Sequence, residues 1–256
     1  MREEITGKKQ LLGEDVMPRI TRIGVLVAVL LGGIGGLQDA HAQAKTRPDF
    51  RQFDRAAGHP RLVVMPPDVQ LAVITAGGVA EPNAEWTEAA TREIAEALNS
   101  EAKMRDMVAI PFRESRIAGD DLDTALQLVK LHGVVGSSIV LHQYTPMFTL
   151  PTKEAGFDWS LGPEVSVIGR TQEADYALFI FLRDSYASGG RVAAMVFAAA
   201  LGVAIPGGSQ VGFASVVDLR TGDVVWFNRF ARASGDLRTA DGARETVKSL
   251  LQGLPK

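Results

Sequence analysis

The pattern of apolar and polar positions predicts strands and helices that alternate along the chain from about residue 60. Apolar runs typical of strands lie at 61–65, 69–75, 107–112 and 176–182. Apolar positions at helical spacing predict helices over 84–98, from Asp120 onward, over 164–172 and over the last fifteen or so residues. Pro66 and Pro67 separate the first two strands, because proline cannot donate to a strand ladder.

A β-hairpin near the C-terminus is the clearest local feature. Apolar runs at 211–219 and 224–231 flank the sequence Arg220-Thr221-Gly222-Asp223, in which Gly222 supplies the positive φ of a tight turn. The irregular order of strands and helices, together with this hairpin, predicts an α+β fold. We expect an antiparallel or mixed sheet covered by amphipathic helices on one face.

One stretch, Val192–Ile205, is apolar at every position except Gly202 and is called the apolar segment below. Its length allows a buried core helix, a membrane-dipping hairpin or a helix that docks on a partner, and continuous hydrophobicity favours the buried helix. The flanking Gly-Gly-Arg and Pro-Gly-Gly sequences predict hinges, so the segment is expected to pack on the domain and to swing outward. Its contact residues are then Met195, Phe197 and Leu201.

The N-terminal region has the order of a secretory signal peptide. Arg19 and Arg22 precede the apolar run 23–37, and small residues follow as Ala-x-Ala at 40–42 and again at 42–44. A membrane anchor is the alternative, but the run is 15 residues long with five glycines, whereas a spanning helix needs about 20 apolar residues. We therefore expect a signal peptide over 1–44, with Met17 as a second candidate start that leaves 1–16 upstream of it.

The rest of the chain divides into a leader and one domain. Residues 45–59 are charged, with Phe50 and Phe53 as their large apolar groups, which predicts a flexible leader. Residues 60–256 are then a single α+β domain with 192–205 as an apolar insertion. The composition, 46% hydrophobic and 22% charged, is that of a globular protein.

Charge and cysteine content exclude several classes of function. The chain has no cysteine, which excludes disulfides, thiolate metal sites, cysteine nucleophiles and a cysteine-linked lipid anchor. Its net charge of −3 lacks the excess of basic side chains that is typical of nucleic-acid-binding proteins. Outside the signal region the histidines are His59, His132 and His142, and the last two are too far apart to share a helix face as metal ligands. The sequence therefore predicts no metal and no cofactor.

Asp184 is the strongest candidate for a catalytic or ligand-binding residue. In the sequence Arg183-Asp184-Ser185-Tyr186, just past a predicted strand, the carboxylate has the chemistry of an acid–base group, with an arginine to steer an anion. The alternative is a structural carboxylate that caps the following loop and pairs with an arginine. The structural interpretation is favoured, because the sequence shows no nucleophile–base pair around Asp184, and we assign no catalytic residue.

In the C-terminal part of the chain, an apolar strand that begins ADYALFIF is followed by the hairpin VGFASVVDLRTGDVVWFNRF and a final helix. This arrangement resembles the C-terminal half of the curli-secretion lipoprotein family and related small envelope lipoproteins of Gram-negative bacteria. The matching hairpin residues form a structural turn: Asp218, Thr221, Gly222 and Trp226. The whole chain is also similar to a family of exported proteobacterial proteins. The resemblance implies an α+β domain that assembles with other envelope components, although members of the lipoprotein family are acylated on a cysteine that this chain lacks.

Two functions are compatible with these patterns. The first is a non-enzymatic protein of the periplasm or outer membrane, which binds envelope proteins, copies of itself or the membrane surface through the apolar segment. The second is a periplasmic enzyme or ligand-binding protein with a pocket near Asp184. An exposed apolar surface at Phe197 favours the first, and a polar cleft around Asp184 favours the second.

Overall fold

The sheet is built around one long central strand. The computed structural model describes residues 43–50, 53, 60–104, 108–154, 156–233 and 235–255, so the predicted signal peptide up to Ala42 lies outside the described residues. The strands are β1 (Gln43–Thr46), β2 (Arg61–Val64), β3 (Asp68–Ile74), β4 (Ala80–Pro82), β5 (Val108–Pro111), β6 (Tyr176–Ala187), β7 (Gly208–Asp218) and β8 (Val224–Arg232). The helices are α1 (Ala84–Met104), α2 (Asp120–Tyr144), α3 (Ser166–Gln172), α4 (Gly189–Ala200) and α5 (Ala240–Leu250).

Strand β6 has antiparallel neighbours on one side and parallel neighbours on the other. On the first side the order is β6, β7, β8 and β1, each antiparallel to the next. On the second side β2 pairs with the first part of β6 and β3 with the last part, and Pro66-Pro67 marks the break between them, as predicted. Strand β5 adds to β2, and β4 adds to β3. The sheet is therefore mixed and open, which confirms the α+β prediction.

Helices cover both faces of this sheet, not one face as the sequence suggested. Alternate residues of β6 point to opposite faces, with Leu178 and Ile180 toward α1 and α5, and Ala177 and Phe179 toward α2 and α3. A strand buried on both faces is apolar at nearly every position, as the run 176–182 is. A strand that is apolar on both faces requires cover on each face of the sheet.

Helix α2 continues through two glycines because aromatic rings fill the space that side chains would occupy. A Cβ atom on Gly136 would lie 2.0 Å from the ring of Phe213, and one on Gly133 would lie 3.0 Å from the ring of Phe181. Those two rings stack with centroids 4.7 Å apart. Among the described residues, α2 is long and apolar enough to cross a membrane, judged by length and composition alone. Its buried residues, which include Leu128 and Ile139, pack against the sheet.

The predicted flexible leader is wrong at its start. Residues 43–46 form β1, which extends the sheet beyond β8, and Arg47 N–H donates to the Val225 carbonyl at 2.9 Å. Phe53 is buried and Phe50 packs beside it, both with ring edges against Tyr176. A four-residue edge strand carries too little hydrophobic periodicity to be recognised in sequence. Phe50 and Phe53 come after β1 in the chain and do not indicate it.

Candidate functional site

The apolar segment is exposed, so the favoured prediction of a buried core helix is wrong. Helix α4 and the turn after it leave the sheet between β6 and β7. Phe197 is 70% exposed, Val196 67% and Leu201 68%, whereas Met195 is half-buried and packs over Gly207. Of the contact residues expected from sequence, Phe197 and Leu201 face solvent and Met195 faces the base of the segment. A monomeric protein seldom exposes side chains of this size next to one another without a partner.

Capping hydrogen bonds close both ends of α4, and their donors and acceptors lie within the segment and its flanks. At its N-terminus the Ser188 hydroxyl accepts from Arg191 N–H at 3.1 Å, which is an N-cap. At its C-terminus Gly202 has φ +77°, Gly202 N–H donates to the Ala199 carbonyl, and Val203 N–H donates to the Ala198 carbonyl at 2.9 Å. This Schellman arrangement leaves fewer free carbonyls at the tip of the segment.

Arg191 ties together the two ends of the apolar segment. Its guanidinium donates to the Pro206 carbonyl at 3.1 and 3.3 Å, across the gap between the start of α4 and the chain that returns to β7. The flanking glycines were expected to be hinges from which the segment swings out. The segment already faces solvent, and its base is fixed by hydrogen bonds of Arg191 and Ser188.

The apolar segment and the start of β1 lie toward the same end of the sheet. Tyr186 pairs with Gly208 at the base of the segment, and Gln210 pairs with Arg232 at the end of β8. Gln43 pairs with Arg229, three residues before that end, which is a displacement of about 10 Å along the strand. Gln43, the first described residue, therefore lies toward the end of the sheet where Phe197 is exposed.

Asp184 lies within β6 and is buried in a hydrogen-bond network. Its carboxylate accepts from the Tyr186 hydroxyl at 2.5 Å and from the Gln210 side-chain amide at 2.7 Å. The amide oxygen of Gln210 accepts from Arg232 at 2.8 Å, and the Tyr186 hydroxyl accepts from Leu237 N–H at 2.9 Å. Burial raises the pKa of Asp184, and these donors oppose the rise.

This network makes Asp184 a structural carboxylate. The predicted position just past the strand is wrong, and so is the predicted pairing with an arginine, because Arg183 points to the opposite face and binds Asp68 at 3.1 Å. An acid–base group must reach a substrate, whereas Asp184 is 4% exposed. Through the Tyr186 hydroxyl, which Asp184 orients, the network attaches Leu237 to the central strand.

We expect Tyr186→Phe to destabilise the domain by about 1–3 kcal/mol, because Asp184 loses a donor and Leu237 N–H loses its acceptor. The lost donor raises the pKa of Asp184 further. A carboxyl whose pKa is higher in the folded state contributes stability that declines as pH rises through the folded pKa. The difference in the free energy of unfolding between variant and wild type, measured with urea, should therefore be larger at pH 7 than at pH 4. An equal difference at both pH values would mean that the Tyr186 hydroxyl does not affect the ionisation of Asp184.

The hairpin residues form the turn that the sequence predicted. Asp218 accepts the N–H groups of Arg220 and Thr221 at 2.8 and 3.3 Å, and Gly222 has φ +83°. Ser160 Oγ donates to the Gly222 carbonyl at 2.9 Å, so the turn is docked against another loop. Trp226 is fully buried, and its indole N–H donates to the Gly253 carbonyl at 3.0 Å.

His132 is a core histidine. Its Nε2 lies 2.8 Å from Ser215 Oγ, and its ring stacks on Phe179 with centroids 5.2 Å apart. Burial lowers its pKa to about 3, and the charge of Asp68 opposes that shift. No cluster of three or more metal-ligating side chains occurs within the described part of the chain.

Comparison with solved structures finds distant matches, among them PelC and the C-terminal domain of LpoB. No protein-family model matches the chain, and no curated protein does. PelC from Paraburkholderia phytofirmans, solved as a dodecamer, is 13% identical with a TM-score of 0.37, over 84% of this chain and 98% of PelC. The C-terminal domain of LpoB from Salmonella enterica is 12% identical with a TM-score of 0.24, over 81% of this chain and 92% of that domain.

Scores this low do not establish a shared fold, so neither match contributes to the function proposed below. No family model or curated relative supports the resemblance to the curli-secretion lipoproteins either. That resemblance stays a prediction from the hairpin and its flanking strand.

Proposed function

We propose that this chain is an exported, non-enzymatic protein of the bacterial cell envelope that binds a membrane surface through the apolar segment. The observation that carries the proposal is the exposure of Val196 and Phe197 on α4 and of Leu201 in the turn that follows it. Burying one such side chain in an apolar environment contributes about 1.5–3 kcal/mol. Three of them supply enough free energy for reversible attachment.

The chemistry of the segment favours a lipid surface over a protein partner. From Val192 to Gly208 the chain carries no charged or polar side chain. Protein interfaces have a polar rim and about one hydrogen bond per 100–200 Å², which this stretch has no side chain to form. The hydrocarbon core of a bilayer forms no hydrogen bonds, so an apolar segment can enter it without polar side chains. Unpaired backbone N–H and C=O groups that enter it cost free energy. The Schellman bonds at Gly202 and Val203 lower that penalty at the tip of the segment.

A flotation assay tests membrane binding. The protein, with the signal region removed, is mixed with vesicles of phosphatidylethanolamine and phosphatidylglycerol and centrifuged through a density gradient. We expect the wild type to float with the vesicles and Phe197→Asp to stay at the bottom, because an aspartate in the lipid contact must be desolvated. Phe197 is exposed in the free domain, so the thermal unfolding midpoint of the variant should match that of the wild type.

Met147→Asp is the matched control. Met147 is 84% exposed and lies in a short turn after α2, outside the apolar segment. The control should float like the wild type. A wild type that stays at the bottom contradicts the proposal, and so does a Phe197→Asp variant that floats normally. Wild-type oligomers that Phe197→Asp dissociates, without flotation of either protein, would assign the segment to self-association.

A further inference from the structure

The base of the apolar segment is shared with the turn between β3 and β4. The hydrogen bonds from Arg191 to Pro206 join the start of α4 to the chain that returns to β7, and the chain turns back between them at Gly202. Arg191 Nη1 also lies 3.3 Å from the position of a Cβ atom on Gly78, in the β3–β4 turn. Val79 in that turn is 61% exposed. Apolar surface therefore extends from the segment onto the turn beside Arg191.

Arg191 carries a positive charge that no carboxylate compensates. The two stretches that meet at this base, 69–80 and 185–217, contain one charged side chain, that of Arg191. Its Nε–H and one terminal N–H donate to the Pro206 carbonyl, and the other N–H groups of the guanidinium have no acceptor among the described residues. By contrast, Arg183 and Arg232 bind carboxylates at 3.1 and 3.0 Å. The guanidinium of Arg191 is therefore able to bind an anion.

We infer that Arg191 binds the phosphate of an anionic phospholipid headgroup when the apolar segment enters the bilayer. This inference rests on the proposed function and names the class of lipid that the protein prefers. A guanidinium donates paired hydrogen bonds to phosphate oxygens, and its charge complements that of the headgroup. Because the whole chain has a net charge of −3, a preference for an anionic surface has to come from a local positive charge.

The position of Arg191 along α4 matches the depth of the phosphate layer. Phe197 follows Arg191 by six residues, which is about 9 Å along a helix axis. Interfacial helices bury their apolar side chains roughly 5–10 Å into the boundary between headgroups and acyl chains. When the tip at Gly202 enters first and Phe197 reaches that depth, Arg191 lies at the level of the headgroups. Long basic side chains at the end of an apolar segment are commonly anchored there.

Binding to vesicles with and without an anionic lipid tests the inference. The protein, with the signal region removed, is floated with vesicles of phosphatidylcholine, or of phosphatidylcholine mixed with phosphatidylglycerol, over a range of lipid concentrations. We expect the wild type to bind the mixed vesicles about fivefold more tightly, which is the effect of one arginine near an anionic surface. Arg191→Gln should bind both kinds of vesicle with the same affinity, because the apolar segment keeps its contact while the charge is lost.

Two further variants separate the charge of Arg191 from its hydrogen bonds and from the total charge of the protein. Arg191→Lys keeps the charge but loses the fork that binds the Pro206 carbonyl, and it should retain the preference for the mixed vesicles. Arg170→Gln is the matched control. Arg170 is exposed on α3, before the start of β6, whereas Arg191 follows the end of β6, and no carboxylate pairs with Arg170 in the described part of the chain. This variant should also retain the preference.

The outcomes distinguish the headgroup site from membrane binding itself. A wild type that binds both kinds of vesicle equally, an Arg191→Gln variant that keeps the preference, or an Arg170→Gln variant that loses it overturns the assignment of Arg191. Each of these results leaves the apolar segment as the membrane contact. If Arg191→Gln binds neither kind of vesicle, Arg191→Lys decides, since loss of the preference there also overturns the assignment. A wild type that floats with neither kind contradicts the proposed function.

Discussion

Gly222→Val is expected to destabilise the domain by about 3–5 kcal/mol, close to the whole stability of a marginal protein. Gly222 has φ +83°, a conformation that a β-branched residue adopts only with strain. A Cβ atom there would lie 2.1 Å from the Gly162 carbonyl oxygen, so the loop docked on the turn must also move. Urea unfolding of the variant and the wild type measures the loss.

Gly202→Val separates the two causes. Gly202 has a similar φ of +77°, but no atom lies within 4 Å of the position of its Cβ. We expect this control to lose about 1–3 kcal/mol, the cost of the backbone conformation alone. Equal losses for the two variants would mean that the contact with Gly162 contributes nothing to the stability of the hairpin.

The second large effect is a loss of stability in mild acid that depends on His132. Burial holds the pKa of His132 at about 3, below the ordinary value of 6.5 that it regains on unfolding. Between these values the unfolded chain binds one more proton than the folded one, so stability falls as pH falls through this window. The slope is about 1.4 kcal/mol per pH unit, which gives about 2 kcal/mol between pH 6.5 and pH 4.5.

His132→Phe should remove this part of the pH dependence. The variant loses the bond to Ser215 and starts from a lower stability at pH 7. Its free energy of unfolding should nevertheless change less between pH 6.5 and pH 4.5 than that of the wild type, by about 2 kcal/mol. Parallel pH profiles for the two proteins would mean that His132 has the same pKa in the folded and unfolded states.

Local chemistry made part of the fold predictable. Asn83 stands directly before α1, asparagine is a preferred N-cap residue, and its carboxamide oxygen accepts from Trp86 N–H at 2.9 Å. Ala243, Val247 and Leu250 recur at helical spacing in the sequence and form part of the buried face of α5. The turn at Gly222 was predictable because a single backbone conformation requires the glycine. In each of these cases the residues that determine the structure are close together in sequence.

Long-range packing decided what the sequence left open or predicted wrongly. The persistence of α2 through Gly133 and Gly136 depends on the rings of Phe181 and Phe213, which lie on other strands. The exposure of Phe197 depends on what lies beside the helix in space, and composition carries no information about that. Continuous hydrophobicity predicts a low-dielectric environment. It does not distinguish the interior of the protein from the interior of a bilayer.

A fluorescent label at position 197 tests the central claim most directly. The chain has no cysteine, so Phe197→Cys and Met147→Cys each accept one environment-sensitive fluorophore at a single site. On addition of phosphatidylethanolamine–phosphatidylglycerol vesicles, the label at 197 should shift its emission to the blue and be quenched by spin-labelled lipid tails. The label at 147 should emit as it does in buffer. A label at 197 that stays in an aqueous environment, or the same response from both labels, would contradict insertion of the apolar segment into the membrane.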